Sequence, residues 1–319
     1  MLKDGCVICQ SGIKTYLQGI SKSWVSDLGG KVYSYSEIRP NSQGHCCITT
    51  KRHITDVREI SPEEWNDILP ILKDVVRKID KVYSPVGFYI AMPIGKLASQ
   101  NLPHFYTRIV PKYKKGYGQM RIKEQIKEMS PQEYQETTQL LQAKNDIVGE
   151  KGKCIAKLDK HGDHGWESNP VKNRGRIEIS PKPTIPNDSI YVIRKLDQQT
   201  WNQMGELMKS VIKLMEEKLA CENFSISICT GKMTGTGEED EPTLKLRVRP
   251  VFSKNFLEPV GRIVIDGKLA GSMDNERIAE KLRDPKLYYA RWKGDRNYLE
   301  NKNKGKVLTQ RERERERFR

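Results

Sequence analysis

The sequence predicts an α+β protein in which one pattern is written twice in tandem, each copy an antiparallel sheet carrying a long packed helix. Three observations lead there. Short runs of alternating apolar and polar residues are separated by turn-forming residues. Two longer stretches place apolar side chains at helical spacing. The order and spacing of these signals in residues 151–252 echo those in residues 1–113.

In the first copy, Lys31–Ser36 alternates as a short strand, Pro40-Asn41-Ser42-Gln43-Gly44 marks a turn, and His45–Thr50 returns as a second strand, so this segment reads as a hairpin. Ser61-Pro62-Glu63-Glu64 then supplies a capping box with proline at the first helical position. Trp65, Ile68, Leu69, Leu72, Val75, Val76, Ile79 and Val82 follow on one helical face, a stripe suited to burial against a sheet. Gly87–Met92 and Phe105–Val110 read as two further strands, separated by the loop Pro93–Pro103 and closed by Pro111.

In the second copy, Gly175–Ile179 parallels Gly30–Ser34, and Ile185–Ile193 parallels the segment from Ile38 through Ile48. Leu196-Asp197 followed by Trp201 repeats Ile60-Ser61 followed by Trp65 at the same spacing. Met204, Leu207, Met208, Val211, Leu214, Met215 and Leu219 restore the helical stripe, and Phe224–Cys229 and Leu244–Pro250 match the last two strands. Between the copies, Ser130-Pro131-Gln132-Glu133 opens another capped helix running to about Ile147. The expected division is 1–113, a helical linker 114–150, a second module 151–252 and a basic extension 253–319 that ends in the Arg/Glu run 311–317. That run reads as a solvated, charge-alternating end or as an arm for nucleic acid.

The 319 residues carry 56 lysines and arginines against 41 acids, a net charge of +15 that favours polyanionic partners such as a nucleotide or nucleic acid. No stretch reaches the length of a membrane span, and residues 1–14 lack the apolar run of a signal peptide, so an intracellular, cytoplasmic protein with no membrane partner is expected. The cysteine count, seven, is odd, and Cys6 and Cys9 are two residues apart. In a reducing compartment that reads as metal ligation before it reads as a disulfide. Zinc in a structural site takes four thiolate or imidazole ligands at tetrahedral corners. If the sheet brings the strand ends together, His53 and His104 would complete a Cys₂His₂ set with Cys6 and Cys9. Taken alone, the Cys-x-x-Cys pair reads equally well as two ordinary buried cysteines.

The run Cys6-Val7-Ile8-Cys9, then Glu37-Ile38-Arg39-Pro40 with Gly44-His45, then Lys51-Arg52-His53, a long helix, and Ser99-Gln100-Asn101-Leu102-Pro103-His104-Phe105-Tyr106-Thr107-Arg108-Ile109-Val110-Pro111 strongly resembles the histidine-triad (HIT) superfamily. The duplication is most similar to its two-module branch, which includes galactose-1-phosphate uridylyltransferase and related nucleotide phosphorylases. The resemblance covers roughly Cys6–Tyr113 well and Cys154–Phe252 faintly. It implies two tandem HIT-like modules and a structural zinc on Cys6, Cys9, His53 and His104.

Members of that superfamily attack a nucleotide α-phosphate with the second histidine of a His-x-His-x-His/Gln strand. This sequence has Tyr106 there and Arg108 at the third position. A phenol with a pKa of about 10 is a poor nucleophile near neutral pH unless its surroundings depress that value. The resemblance also implies that Gly95–Asn101 holds phosphate oxygens, with Ser99, Gln100, Asn101 and Arg108 as candidate ligand residues. The competing reading is that Ser99, Gln100 and Asn101 satisfy their own loop and that Arg108 pairs with an acid. In the second copy Thr243, Lys245 and Arg247 fall where His104, Tyr106 and Arg108 stand, and only Cys154 resembles the knuckle. His161 and His164 read as ordinary surface residues.

The expectation is a zinc-stabilised, catalytically inactive HIT-like protein that binds a nucleotide, nucleic acid or another phosphate-bearing partner. The alternative is an active nucleotidyltransferase or nucleotide hydrolase rewired around Tyr106, Arg108, His45 and the Ser99–Asn101 loop. A protein partner for the basic surfaces is a third expectation.

Overall fold

A computed structural model of the chain describes residues 6–10, 24–37, 40, 42–113, 125–128, 135, 139, 141, 144, 146–159, 161–164, 175–186, 192–231, 243–251, 264–265 and 268–269. Its helices are α1 (Val7–Gln10), α2 (Pro62–Tyr83), α3 (Val192–Lys195) and α4 (Gln198–Leu219). Its strands are β1 (Trp24–Ser26), β2 (Val32–Ser36), β3 (Cys46–Thr50), β4 (Gly87–Ile94), β5 (Tyr106–Lys112), β6 (Gln125–Glu128), β7 (Ile147–Lys151), β8 (Cys154–Leu158), β9 (His161–His164), β10 (Ile177–Pro181), β11 (Phe224–Gly231), β12 (Leu246–Pro250), β13 (Val264–Ile265) and β14 (Lys268–Leu269).

The fold is α+β, and ten of the strands form one antiparallel sheet in the order β1-β2-β3-β5-β4-β11-β12-β10-β8-β7. The order reads the same from either edge once β1–β5 are matched with β7, β8, β10, β11 and β12, so the two halves are related by a local two-fold between β4 and β11. Those two strands pair along their full length, from Phe224 opposite Ile94 to Gly231 opposite Gly87. Each copy was expected to own a sheet; instead the halves share one, because the central strands leave no edge between them.

This topology corrects the register of the sequence repeat. The partner of β2 is β8, and β10 occupies the place of β3, so Gly175–Ile179 corresponds to the second strand of the first hairpin and not to Gly30–Ser34. Short alternating strands share one period, so their pattern alone does not tell neighbours apart. At the end of the second matched segment, Val192 and Ile193 open a helical turn, Val192–Lys195, and not a strand; residues 187–191 lie outside the described residues.

Helix α2 begins as its sequence requires. The Ser61 hydroxyl accepts from the Glu64 N–H at 3.2 Å, and the Ser61 N–H donates to Glu64 Oε2 at 2.8 Å. Arg52 donates to the same carboxylate through Nε at 2.9 Å and Nη2 at 2.7 Å, which ties the helix start to the residue before His53. Replacing Ser61 with Ala should cost about 1 kcal/mol. A lower denaturant midpoint at an unchanged slope would register it; no change in midpoint would show that the cap contributes nothing. Pro70 sits inside α2 on its exposed side, a break in the intrahelical bonding that the periodicity did not announce.

The two long helices lie on the same side of the sheet and meet at their first turns. Trp65 and Trp201 stack with centroids 4.6 Å apart and planes at 6°, and each indole N–H donates to the other residue's carbonyl at 3.0 Å. One continuous apolar core runs beneath both helices.

Strand β5 does not stop before Pro111 as expected but continues through it to Lys112. Pairing with β3 ends at Ile109, whereas pairing with β4 continues through Pro111 and Lys112. The Lys112 carbonyl accepts from Val86 on the β4 side, so by alternation the Pro111 nitrogen faces the side where β3 has already ended, and no ladder donor is lost. Ile147, where the linker helix was expected to end, opens β7. The rest of that helix lies mostly outside the described residues, as does the whole Arg/Glu tail.

Candidate functional site

Four side chains from three places in the chain meet at one end of the β3–β5 pair. Cys6 and Cys9 bracket a turn in which the Cys9 N–H donates to the Cys6 carbonyl at 3.0 Å. His53 follows β3 and His104 precedes β5. His104 Nδ1 lies 3.5 Å from Cys6 Sγ and 3.4 Å from Cys9 Sγ, and His53 Nδ1 lies 3.1 Å from Cys9 Sγ. The two imidazoles meet edge to face at 5.2 Å between centroids. One donor atom from each of the four residues falls within 4.8 Å of the others.

The donor chemistry suits a metal ion. Zn–S bonds of about 2.3 Å and Zn–N bonds of about 2.0–2.1 Å at tetrahedral angles set S···N edges of roughly 3.5 Å, close to the observed separations. His104 Nε2 lies 3.0 Å from the Thr50 carbonyl, which can only accept, so Nε2 carries the proton and Nδ1 presents its lone pair to the thiols. Burial holds the His104 imidazole below its usual pKa, in the neutral form a metal requires. Burial and the neighbouring Cys6 push the Cys9 thiol up to about 11, a penalty on the thiolate that a cation would reverse.

Along β5, on the face turned away from the helices, Tyr106 and Arg108 follow His104. Tyr106 is buried, and its hydroxyl donates to the Ser99 carbonyl at 3.2 Å while accepting from the Asn101 N–H at 3.1 Å and from Arg108 Nη2 at 3.1 Å. Arg108 also donates to the Ser99 carbonyl at 3.2 Å. Burial raises the Tyr106 pKa despite the adjacent guanidinium, so the phenol remains protonated at neutral pH.

The loop before β5 is held by its own contacts. Gln100 accepts from the Gly95 N–H at 2.7 Å and donates to the carbonyls of Thr55 and His104 at 2.6 and 3.3 Å. Gly95 has φ +81°, and a Cβ there would lie 2.1 Å from Asn223 Oδ1, so the loop closes tightly on the second half. Ser99, Gln100, Asn101 and Arg108 are therefore brought together, with the Gln100 amide engaged at both ends.

Across the sheet, Cys47, Arg108, Ala91, Ser227, Arg247 and Glu178 share one row. Arg108 and Arg247 are two-fold equivalents three strand spacings apart, roughly 14 Å. In the second half Glu178 receives Arg247 Nε at 3.1 Å and Lys245 Nζ at 2.7 Å. In the first half the equivalent of Glu178 is Cys47, whose pKa burial raises well above the usual thiol value, so a neutral thiol stands beside Arg108. The Glu37 carboxylate accepts from that thiol at 3.2 Å, so an acid is present in the first half as well, one residue beyond the paired strands. Lys112, two residues beyond Val110 on the same face, is buried over the Tyr89 ring, and burial lowers its pKa to about 8. Nothing in the sequence pattern singled it out.

Elsewhere, Cys154 is buried in the core with its thiol directed at the Thr200 carbonyl at 3.7 Å. His161 and His164 lie on β9, which pairs with β6. Among the described residues no helix is long and apolar enough to cross a membrane.

The chain is similar to several known proteins. Residues 29–115 match the family described as HIT domain. Adenosine 5'-monophosphoramidase hnt1 of Schizosaccharomyces pombe is 32% identical over 85 residues, 27% of this chain and 61% of that protein. Protein hit of Bacillus subtilis is 28% identical over 87 residues, 27% of this chain and 60% of its own. The chain thus spans about three fifths of the length of these two relatives. Among solved structures, an ADP-glucose phosphorylase from Arabidopsis thaliana with bound ADP-glucose aligns over 81% of this chain and 82% of its own at 15% identity and a TM-score of 0.47.

Proposed function

We propose that this chain, whose residues 29–115 match the HIT domain family, is a catalytically silent member of the histidine-triad superfamily that binds a nucleotide or another phosphate-bearing ligand beside Arg108. In this reading Cys6, Cys9, His53 and His104 hold a structural zinc ion that supplies stability and no chemistry. The observation that carries the proposal is the state of Tyr106. It stands where the superfamily's nucleophilic histidine would be, and its protonated hydroxyl is engaged by Ser99, Asn101 and Arg108.

Arg108 supports the binding half of the reading. A guanidinium keeps its charge at any physiological pH and can grip two phosphate oxygens at once. The relatives named as acting on adenosine 5'-monophosphoramidates give a nucleoside monophosphate as the first ligand to test.

Incubation of the full chain with labelled nucleoside phosphoramidates and nucleotide sugars should leave no nucleotidyl adduct by mass spectrometry. Calorimetric titration with AMP should show binding that weakens as salt rises and falls about tenfold or more in Arg108→Ala, the loss of one charge-assisted contact. An adduct that disappears in Tyr106→Phe would instead establish a rewired nucleotidyltransferase. Absence of binding at every salt concentration would remove the ligand from the proposal.

A further inference from the structure

A second cluster of donors lies outside the Cys6–Cys9–His53–His104 group, on the β2–β3 hairpin. The Glu37 N–H donates to the His45 carbonyl at 3.0 Å, so the two residues face each other across the hairpin just beyond the paired strands. His45 and Cys47 are two residues apart, a spacing that turns both side chains to one face. Register places Cys47 beside Arg108, so this is the face that carries Tyr106 and Arg108. The Cys47 thiol donates to Glu37 Oε2 at 3.2 Å, and one donor atom from each of Glu37, His45 and Cys47 falls within 4.8 Å of the other two. His45 and Cys47 are buried and Glu37 is partly open.

We propose that Glu37, His45 and Cys47 form a second divalent-metal site of the zinc class, with a fourth position for water or a phosphate oxygen. Three protein ligands of mixed oxygen, nitrogen and sulfur type are the pattern of zinc sites that keep one position exchangeable, in contrast to the four-ligand cluster at Cys6. Binding replaces the thiol proton: Cys47–SH and the cation give the metal thiolate and a proton released to water. The thiolate and the Glu37 carboxylate balance the charge of the ion. The sequence motif that drew attention to His45 said nothing of this grouping, because Glu37 becomes a neighbour only through the hairpin register.

The test is metal stoichiometry on the full chain, by elemental analysis of the zinc-loaded protein and by Co²⁺ titration of the metal-free protein. Wild type should take up two equivalents. Cys47→Ser and Glu37→Gln should each lose one and keep the other, and Cys9→Ser should lose the complementary one. The Co²⁺ spectrum separates the sites even if a variant folds poorly: Cys47 offers one thiolate, so Cys47→Ser should remove the weaker sulfur-to-metal band and spare the stronger one from the two-thiolate cluster. A single wild-type equivalent that vanishes in Cys9→Ser and persists in Cys47→Ser overturns the second site alone. A single equivalent with the opposite dependence supports it and removes the zinc at Cys6. Two equivalents retained in Cys47→Ser also overturn it, and no uptake at all overturns both sites.

Discussion

Chelation of the proposed zinc, or the substitution Cys9→Ser, should lower the thermal midpoint of this protein by on the order of 10 °C. The four donors come from a short turn near Cys6, the end of β3 and the start of β5, so an ion held by them would join segments separated by 44 to 98 residues. A ligand that binds only the folded state stabilises it by RT ln(1 + [M]/Kd), about 4 kcal/mol at a thousandfold excess over Kd. That figure is well below the stabilisation typical of zinc-finger peptides, which have no core of their own. Here α2 rests on β1–β3 through an apolar stripe that includes none of the four donors. The expected outcome is therefore a weakened fold and not an unfolded chain. Differential scanning calorimetry with and without chelator checks it, and an identical midpoint in the two conditions would show that the four donors are merely a buried polar cluster.

The second large effect is at the contact between the two halves. Trp201→Ala should cost roughly 3–5 kcal/mol, the range for removing a fully buried aromatic side chain. Part of that loss is the cavity, and part is the Trp65 carbonyl left without its indole donor. Because each tryptophan stacks on and donates to the other, Trp65→Ala and Trp201→Ala should be strongly non-additive in a double-mutant cycle. Gly205→Ala offers an independent view of the same junction, since its Cβ would lie 2.3 Å from the Trp65 ring and force the stack apart. Denaturant midpoints give the energies, and near-ultraviolet circular dichroism reads the stacked indoles directly. Purely additive losses would mean that the halves are stabilised independently.

Particular residues explain why some features were legible in advance. The capping pair Ser61 and Glu64, the N-cap Asp197 and the stripes after Trp65 and Trp201 act within a few positions of one another, and both long helices start where those residues direct. The hairpin of β2 and β3 was likewise announced by the turn at Pro40–Gly44. Pro111 misled because a proline is harmless once its nitrogen faces away from any partner strand, and that depends on where β3 ends. The match of Gly175–Ile179 to Gly30–Ser34 failed because two neighbouring strands carry the same alternation, and only pairing to β12 identifies β10 as the copy of β3.

The site divides in the same way. Cys6, Cys9, His53 and His104 could be named as a candidate set from residue type and spacing, and Tyr106 and Arg108 could be read as departures from a histidine triad. Their chemical state was not written in any local pattern. The Tyr106 phenol is held protonated by burial against the opposing pull of Arg108 and the Asn101 N–H, and Glu37 meets Cys47 only across a hairpin. Backbone preferences and helix caps are interactions of near neighbours, so residue order alone carries them; burial, protonation and the meeting of distant donors depend on which strands lie side by side, and that is a property of the assembled sheet.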